Sequence, residues 1–189
     1  MAKIKLTKNE LKRQKDLLRR YQRYLPTLQL KKQQLQLELR KVDDALRARR
    51  DAFQAKQAQM GEWTGVLAEE VGLAKLVAVD RIEKSQTNIA GVDIPVFRAV
   101  HFAPVEYDLF AMPLWVDAAV VAIRALIQMQ IEIRILAEQS NVLRAELTVT
   151  SQRVNLFEKV KIPQAQEHIR VIQIYLGDQQ TAAVVRGKI

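Results

Sequence analysis

Apolar residues recur along the first third of the chain at alternating steps of three and four. They run Leu11, Leu18, Tyr21, Leu25, Leu28, Leu35, Leu39, Val42, Leu46, Phe53 and Met60, with Gln14, Lys32, Arg49 and Lys56 filling the other four beats. Charged and amide residues occupy most of the gaps. A 3,4 alternation held over about seven heptads is the signature of a helix that packs along one narrow seam against another helix. At 1.5 Å per residue, fifty residues would extend for roughly 75 Å. Thr7-Lys8-Asn9-Glu10 has capping-box spacing, so this first helix is predicted to span 7–60. Pro26 falls inside it and predicts a bend, because proline removes a backbone hydrogen bond and crowds the preceding turn. The pattern resumes in phase at Leu28, which argues for one continuous helix.

The same alternation returns late in the chain. Met112, Trp115, Ala119, Ala122, Leu126, Met129, Ile133, Leu136, Ser140, Leu143, Leu147, Thr150, Val154, Phe157 and Lys161 keep it, and Ile169, Ile172 and Leu176 extend an apolar face beyond Pro163. A second long helix is predicted over 114–186, interrupted at Pro163 and fraying toward its tip. Two seams in one chain, flanking one insertion, can fold back antiparallel and bury each other. The fold class is therefore mostly α, a long antiparallel two-helix coiled coil.

The insertion, 61–113, reads differently. Gly61, Gly65 and Gly72 break the helical run, and Trp63, Val66 and Leu67 suggest a short helix between them. β-branched residues then alternate over Leu76–Ile89 and Val92–Phe102, with Ala90-Gly91 as the turn of one antiparallel hairpin at about 76–102. Pro95 lacks an N–H and is expected at an edge or bulge. Two strands alone are marginally stable, so the hairpin must lean on a helix or a partner. A long two-helix rod is expected to offer no concave pocket.

Composition supports this reading. Glycine and proline number six and five in 189 residues, few enough for a largely helical chain. There is no cysteine, which excludes disulfides and thiolate metal sites. The most apolar run, Leu109–Ile123, is too short for a membrane span and contains Asp117. No apolar core follows the basic start MAKIKLTKN, so a signal peptide is not expected and a cytoplasmic location is. The charge is uneven. Residues 1–59 hold 17 Lys and Arg against 6 Asp and Glu, whereas the rest holds 13 against 15. A basic helix suits nucleic acid, an anionic membrane or an acidic protein surface, or simply a solvated face.

Catalytic chemistry is not written in the chain. No phosphate-cradling G-x-x-x-x-G-K-[ST] occurs, and His101 and His168 have no metal-ligand spacing. Asp43-Asp44 and Glu69-Glu70 are sequence neighbours, which point about 100° apart on a helix and cannot share a proton or metal. Neither a catalytic residue, a cofactor nor a metal site is expected. The candidate site is the seam, above all Leu18, Tyr21, Leu25, Leu28, Leu35, Leu39, Val42, Leu46 and Phe53 on the first helix. Its counterpart is Leu126, Met129, Ile133, Leu136, Leu143, Leu147, Val154 and Phe157 on the second.

Three motifs carry a resemblance. YLPTLQLKKQQLQ, Tyr24 to Gln36, follows MAKIKLTKNELKRQ; NIAGVDIPVF covers Asn88 to Phe97; QRVNLFEKVKIP covers Gln152 to Pro163. In this order they resemble the D subunit of the rotary V-type and A-type ATPases, nearly end to end. The matching positions include Pro26, Thr27, Gln29, Lys31 and Lys32, then Asn88, Gly91 and Pro95, then Arg153, Asn155, Ile162 and Pro163. The tail AVVRGKI departs from the charged ending usual in that family. The resemblance implies a non-catalytic rotor axle, peripheral to the membrane. Its paired helices would enter a ring of A and B subunits. Its middle module would contact the F subunit and a funnel-shaped subunit leading to the membrane c ring. It implies no bound nucleotide, no nucleic acid and no membrane insertion. A basic coiled-coil nucleic-acid binder is the alternative of another class, but it leaves the seam and the hairpin unexplained; the stalk of an F-type or export ATPase shares the coiled coil, and the motif YLPTLQLKK argues against it.

Overall fold

The computed structural model describes residues 4–61, 72–104 and 112–187. Helix α1 spans Lys8–Gly61 and passes through Pro26 without a break. Helix α2, Leu73–Leu76, is a single turn. Strands β1, Val79–Ile89, and β2, Val92–Phe102, pair antiparallel as a two-stranded sheet. Helix α3 spans Trp115–Leu156, a π turn covers Phe157–Lys161, and helix α4 runs Ile162–Arg186. The short helix expected around Trp63, Val66 and Leu67 lies outside the described residues.

Local chemistry accounts for the boundaries. The Glu10 amide donates to Thr7 Oγ at 3.3 Å, one half of the capping box. The Glu10 carboxylate goes instead to Gln14 at 2.8 Å. Pro163 does not end the second helix. The Ile162 amide donates to the Phe157 carbonyl, five residues back, so the wider π turn sits just before the proline that would disrupt α-helical bonding. Helix α4 then continues through Gly177 to Arg186, the bound expected for the second helix.

The hairpin turn lies at Ala90-Gly91, with φ of 52° and 79°. Two successive left-handed residues make the twist-matched two-residue turn of hairpins. Asn88 braces it, accepting from the Gly91 amide at 3.0 Å and donating to Asp93 at 2.7 Å. The first strand starts at Val79 rather than at the expected Leu76, because Leu73–Leu76 is helical and buries Leu76 with Val116 and Val120. Register slips at Asp80 and Arg98, where each strand carries one extra residue.

The chain forms two compact units, Leu35–Glu146 and Met1–Gln34 with Leu147–Ile189. In Leu35–Glu146, α1 runs against α3, and β2 supplies the buried side of the hairpin. Its buried apolar residues include Leu35, Val42, Leu46, Ile94, Ala119, Ile133, Ile135 and Leu143. In the other unit, α1 lies beside the end of α3 and α4. Thr150, Val154, Ala165 and Ile172 are its buried residues among those described.

Candidate functional site

The helices meet antiparallel in each unit. In Leu35–Glu146, Asp43 reaches Ser140 and Arg144, while Arg49 reaches Glu132, so numbering rises on one helix as it falls on the other. In the other unit Tyr21 and Phe157 stack edge to face, ring centroids 5.2 Å apart. Gln14, Leu17 and Tyr21 also line a shallow groove with Lys161, Gln164, Ala165 and His168.

Every seam residue named from the sequence is withdrawn from solvent to some degree. Leu35, Val42, Leu46, Ile133, Leu143 and Val154 are buried. Leu18, Tyr21, Leu25, Leu28, Leu39, Phe53, Leu126, Met129, Leu136, Leu147 and Phe157 are half-buried. The residues carried by the motifs are placed differently. Pro26, Thr27, Asn88, Gly91, Arg153, Asn155 and Pro163 are exposed, whereas Gln29, Lys31, Lys32, Pro95 and Ile162 are half-buried.

Polar groups punctuate the seam in Leu35–Glu146. The Ser140 hydroxyl donates to one Asp43 oxygen at 2.7 Å, and Arg144 donates to the other at 2.7 Å. Arg144 Nε also donates to Ser140 Oγ at 3.0 Å, closing a triangle. The Ser140 hydrogen bond, with Arg144 behind it, holds the Asp43 carboxyl below its ordinary value against a smaller burial effect. Further along α1, Arg49 meets Glu132 at 2.6 Å, and Gln128 donates to the other Glu132 oxygen at 3.0 Å. Ser140 is 3% exposed and Glu132 is 7% exposed, so neither has free access to water and each depends on its partner. Arg49, which fills one of the polar beats of the first seam, pairs across that seam with Glu132.

A second buried stripe on α3 escapes the seam reading. Val116, Val120, Glu132, Ile135 and Gln139 lie off the 3,4 series yet are buried. Val116 and Val120 pack on Leu76 of α2 and Gln139 meets β2, whereas Glu132 turns to Arg49 of α1. Gln139 donates to the Pro95 carbonyl, Lys84 approaches Glu138 at 3.6 Å, and Arg124 donates to the Leu76 carbonyl at 2.7 Å. The Arg124 guanidinium also lies over the Phe102 ring, 5.0 Å from its centroid. Counting back from the Ile89–Val92 pair beside the turn, Pro95 falls where backbone groups point away from β1. Its missing N–H therefore costs the ladder nothing, and its carbonyl is open to Gln139. A signal for this stripe is present in the chain: Ile123, Ile127, Ile131 and Ile135 recur every four residues beside the seam.

Between α1, β2 and α3 lies an open cleft of about 550 Å³, lined by Ala45, Ala48, Val96, Phe97, Ile135 and Leu136, with Arg49, Glu132 and Gln139 at its polar side. No pattern of residues points to this concavity; it exists because the hairpin packs on one flank of the helix pair. Among the described residues no group of three His, Asp or Glu side chains is placed to hold a metal ion. No described helix is long and apolar enough to cross a membrane. The arrangement is built for holding two helices together.

The family model for the ATP synthase D subunit matches residues 10–189. The chain is 47% identical over 189 residues to the V-type ATP synthase D subunit of Borreliella burgdorferi, covering 100% of this chain and 94% of that one. It is 34% identical over 116 residues to the V-type ATP synthase D subunit of Chlamydia caviae, 61% of this chain and 56% of the relative. A third relative of the same name, from Chlamydia pneumoniae, is 34% identical over 114 residues, 60% of this chain and 54% of the relative.

Proposed function

The chain belongs to the family of ATP synthase D subunits, and we propose that it is the central rotor shaft of a V/A-type rotary ATPase, carrying torque between ATP turnover and ion movement. The observation that supports this most is the end-to-end match to a V-type ATP synthase D subunit in a chain whose two long helices pair through complementary seams. Torque needs a body that resists twisting, and two helices joined along a seam twist less readily than one.

In this reading the subunit makes and breaks no bonds. Helices α1 and α4 sit within the bore of the A and B subunit ring. A two-helix body cannot present the same face to three surrounding interfaces, so its orientation favours a different conformation at each. Exposed bases on the early turns of α1, including Lys12, Arg13, Arg19, Arg20 and Arg23, face acidic surfaces of the bore. Exposed ion pairs are weak and replaceable, as a turning bearing requires. The middle module, residues 61–113, contacts the F subunit and the funnel-shaped subunit above the membrane c ring. The subunit lies on the cytoplasmic side, peripheral to the membrane as part of the ATPase complex.

Affinity purification of the tagged full chain from source membranes tests the reading. Recovery with a ring of A and B subunits is expected, with ATP turnover in the complex and none in the isolated chain. Recovery with ribonucleoprotein, or with no ATPase subunits, would overturn it.

A further inference from the structure

A heptad seam has a weakness that follows from its own regularity. Sliding one helix past the other by seven residues returns apolar side chains to apolar partners, so Leu35, Val42 and Leu46 alone do not fix which register is occupied. The hairpin gives little help. Its named anchors, Gln139 to Pro95, Lys84 to Glu138 and Arg124 over the Phe102 ring, tie it to α3 and not to α1.

We propose that the Asp43–Ser140–Arg144 triangle and the Arg49–Glu132 pair are register keys that lock α1 against the α3–hairpin body. Both cross the seam, and both use side chains that interrupt its apolar run. Ser140 and Arg49 occupy seam beats where an apolar residue would otherwise sit. The keys also read position. A seven-residue slide in one direction brings Ile133 and Ala137 to Asp43, and Ala125 to Arg49. The opposite slide offers Arg49 the amide of Gln139 in place of a carboxylate. In the first slide Glu132, almost wholly buried, faces Val42 and loses its cation; in the opposite slide Lys56 takes the place of Arg49, and it is Asp43 that exchanges Ser140 and Arg144 for Leu147 and Ser151. An unpaired buried charge is the strongest penalty available against a wrong register, and a single register is the best-attested use of polar groups in a helical seam.

The proposal rests partly on the shaft reading: a register that slipped under load would absorb rotation instead of passing it on. Asp43, Ser140, Arg144, Arg49 and Glu132 are thus positioning residues for coupling.

The test separates register from stability. The chain has no cysteine, so spin labels at Arg40→Cys and Asn141→Cys, both exposed, report one distance across the seam. Combining Asp43→Leu, Ser140→Ala, Arg49→Leu and Glu132→Leu removes both keys from the seam. In the full chain this variant is expected to keep or raise the melting temperature, yet to show a second, longer label distance, because the two helices are offset along their axes by about 10 Å, one heptad of rise. In the assembled ATPase, ions moved per ATP should fall about twofold if the slipped register reaches half the population. One unchanged distance in a folded variant would overturn the keys. Should that variant fail to fold, Arg49→Glu and Glu132→Arg decide: each alone should displace or broaden the distance, and the two together restore it. Wild-type distances in both single variants would overturn the proposal. Displaced distances with unchanged coupling would keep the keys and count against the shaft.

Discussion

The two units solve the same packing problem with different means. Met1–Gln34 with Leu147–Ile189 has helices alone, so only one face of each is covered. Tyr24, Ile174, Val184 and Val185 stay more than half exposed there, and the named cross-helix contact is the Tyr21–Phe157 ring pair. Leu35–Glu146 adds a hairpin beside a second stripe of α3, where Ile135 and Gln139 are buried as well as the seam. It also carries the Asp43 triangle and the Arg49–Glu132 pair. A third element thus doubles what one helix can bury, and it lets polar groups be held dry enough to specify position. The thinner unit leaves an apolar and basic exterior, the kind of surface that fits a place inside a ring.

Substitutions in the seam should break this contrast most strongly. Leu143→Asp removes a fully buried side chain and leaves an unpaired carboxylate, and should cost at least the 2–5 kcal/mol or so of a Leu-to-Ala cavity, read by urea unfolding. Ile172→Asp, equally buried in the thinner unit, should cost less, because a two-helix layer opens to water more readily. Equal losses would deny the difference between units.

Removing one half of a key comes next. Glu132→Ala should destabilise by about 1–3 kcal/mol; the half-exposed Arg49 recovers solvent, which keeps the loss below that of a fully buried pair. The Asp43 triangle supplies a pH test. Its folded carboxyl lies below the ordinary aspartate value of 3.8, so its contribution is complete above that pH and is lost as pH falls beneath it. Asp43→Asn should flatten the part of the acid-unfolding curve below pH 3.8 relative to wild type. In the other unit, a Tyr21→Ala, Phe157→Ala double-mutant cycle should return about 0.5–1.5 kcal/mol of coupling from the ring pair. The smallest effect is at the turn: Ala90→Gly relieves a left-handed alanine and should stabilise the hairpin by up to about 1 kcal/mol.

Much of this was legible because periodicity is a physical constraint read directly from residue types. The 3,4 beats place Leu35, Val42, Ile133 and Leu143 on facing stripes, and Gly91 marks the turn because glycine takes a positive φ without cost, while Ala90 takes one under strain. What escaped depends on contacts distant in sequence. Asp43 and Asp44 look alike as neighbours, yet about 100° of helical rotation turns Asp43 toward Ser140 while Asp44 stays exposed, 3.8 Å from Arg47. The cleft beside Ala45 and Ala48 needs the hairpin in place before it exists. The π turn before Pro163 is a backbone answer to a local clash, and periodicity alone registers only the proline.

Whether the paired helices carry rotation is the question on which the shaft reading turns. ATP turnover and ion transport should be measured together in the reconstituted ATPase carrying Leu35→Asp or Ile133→Asp. A seam that transmits torque predicts that ATP turnover persists while ions moved per ATP drop in both variants. Unchanged ions per ATP in both would contradict it.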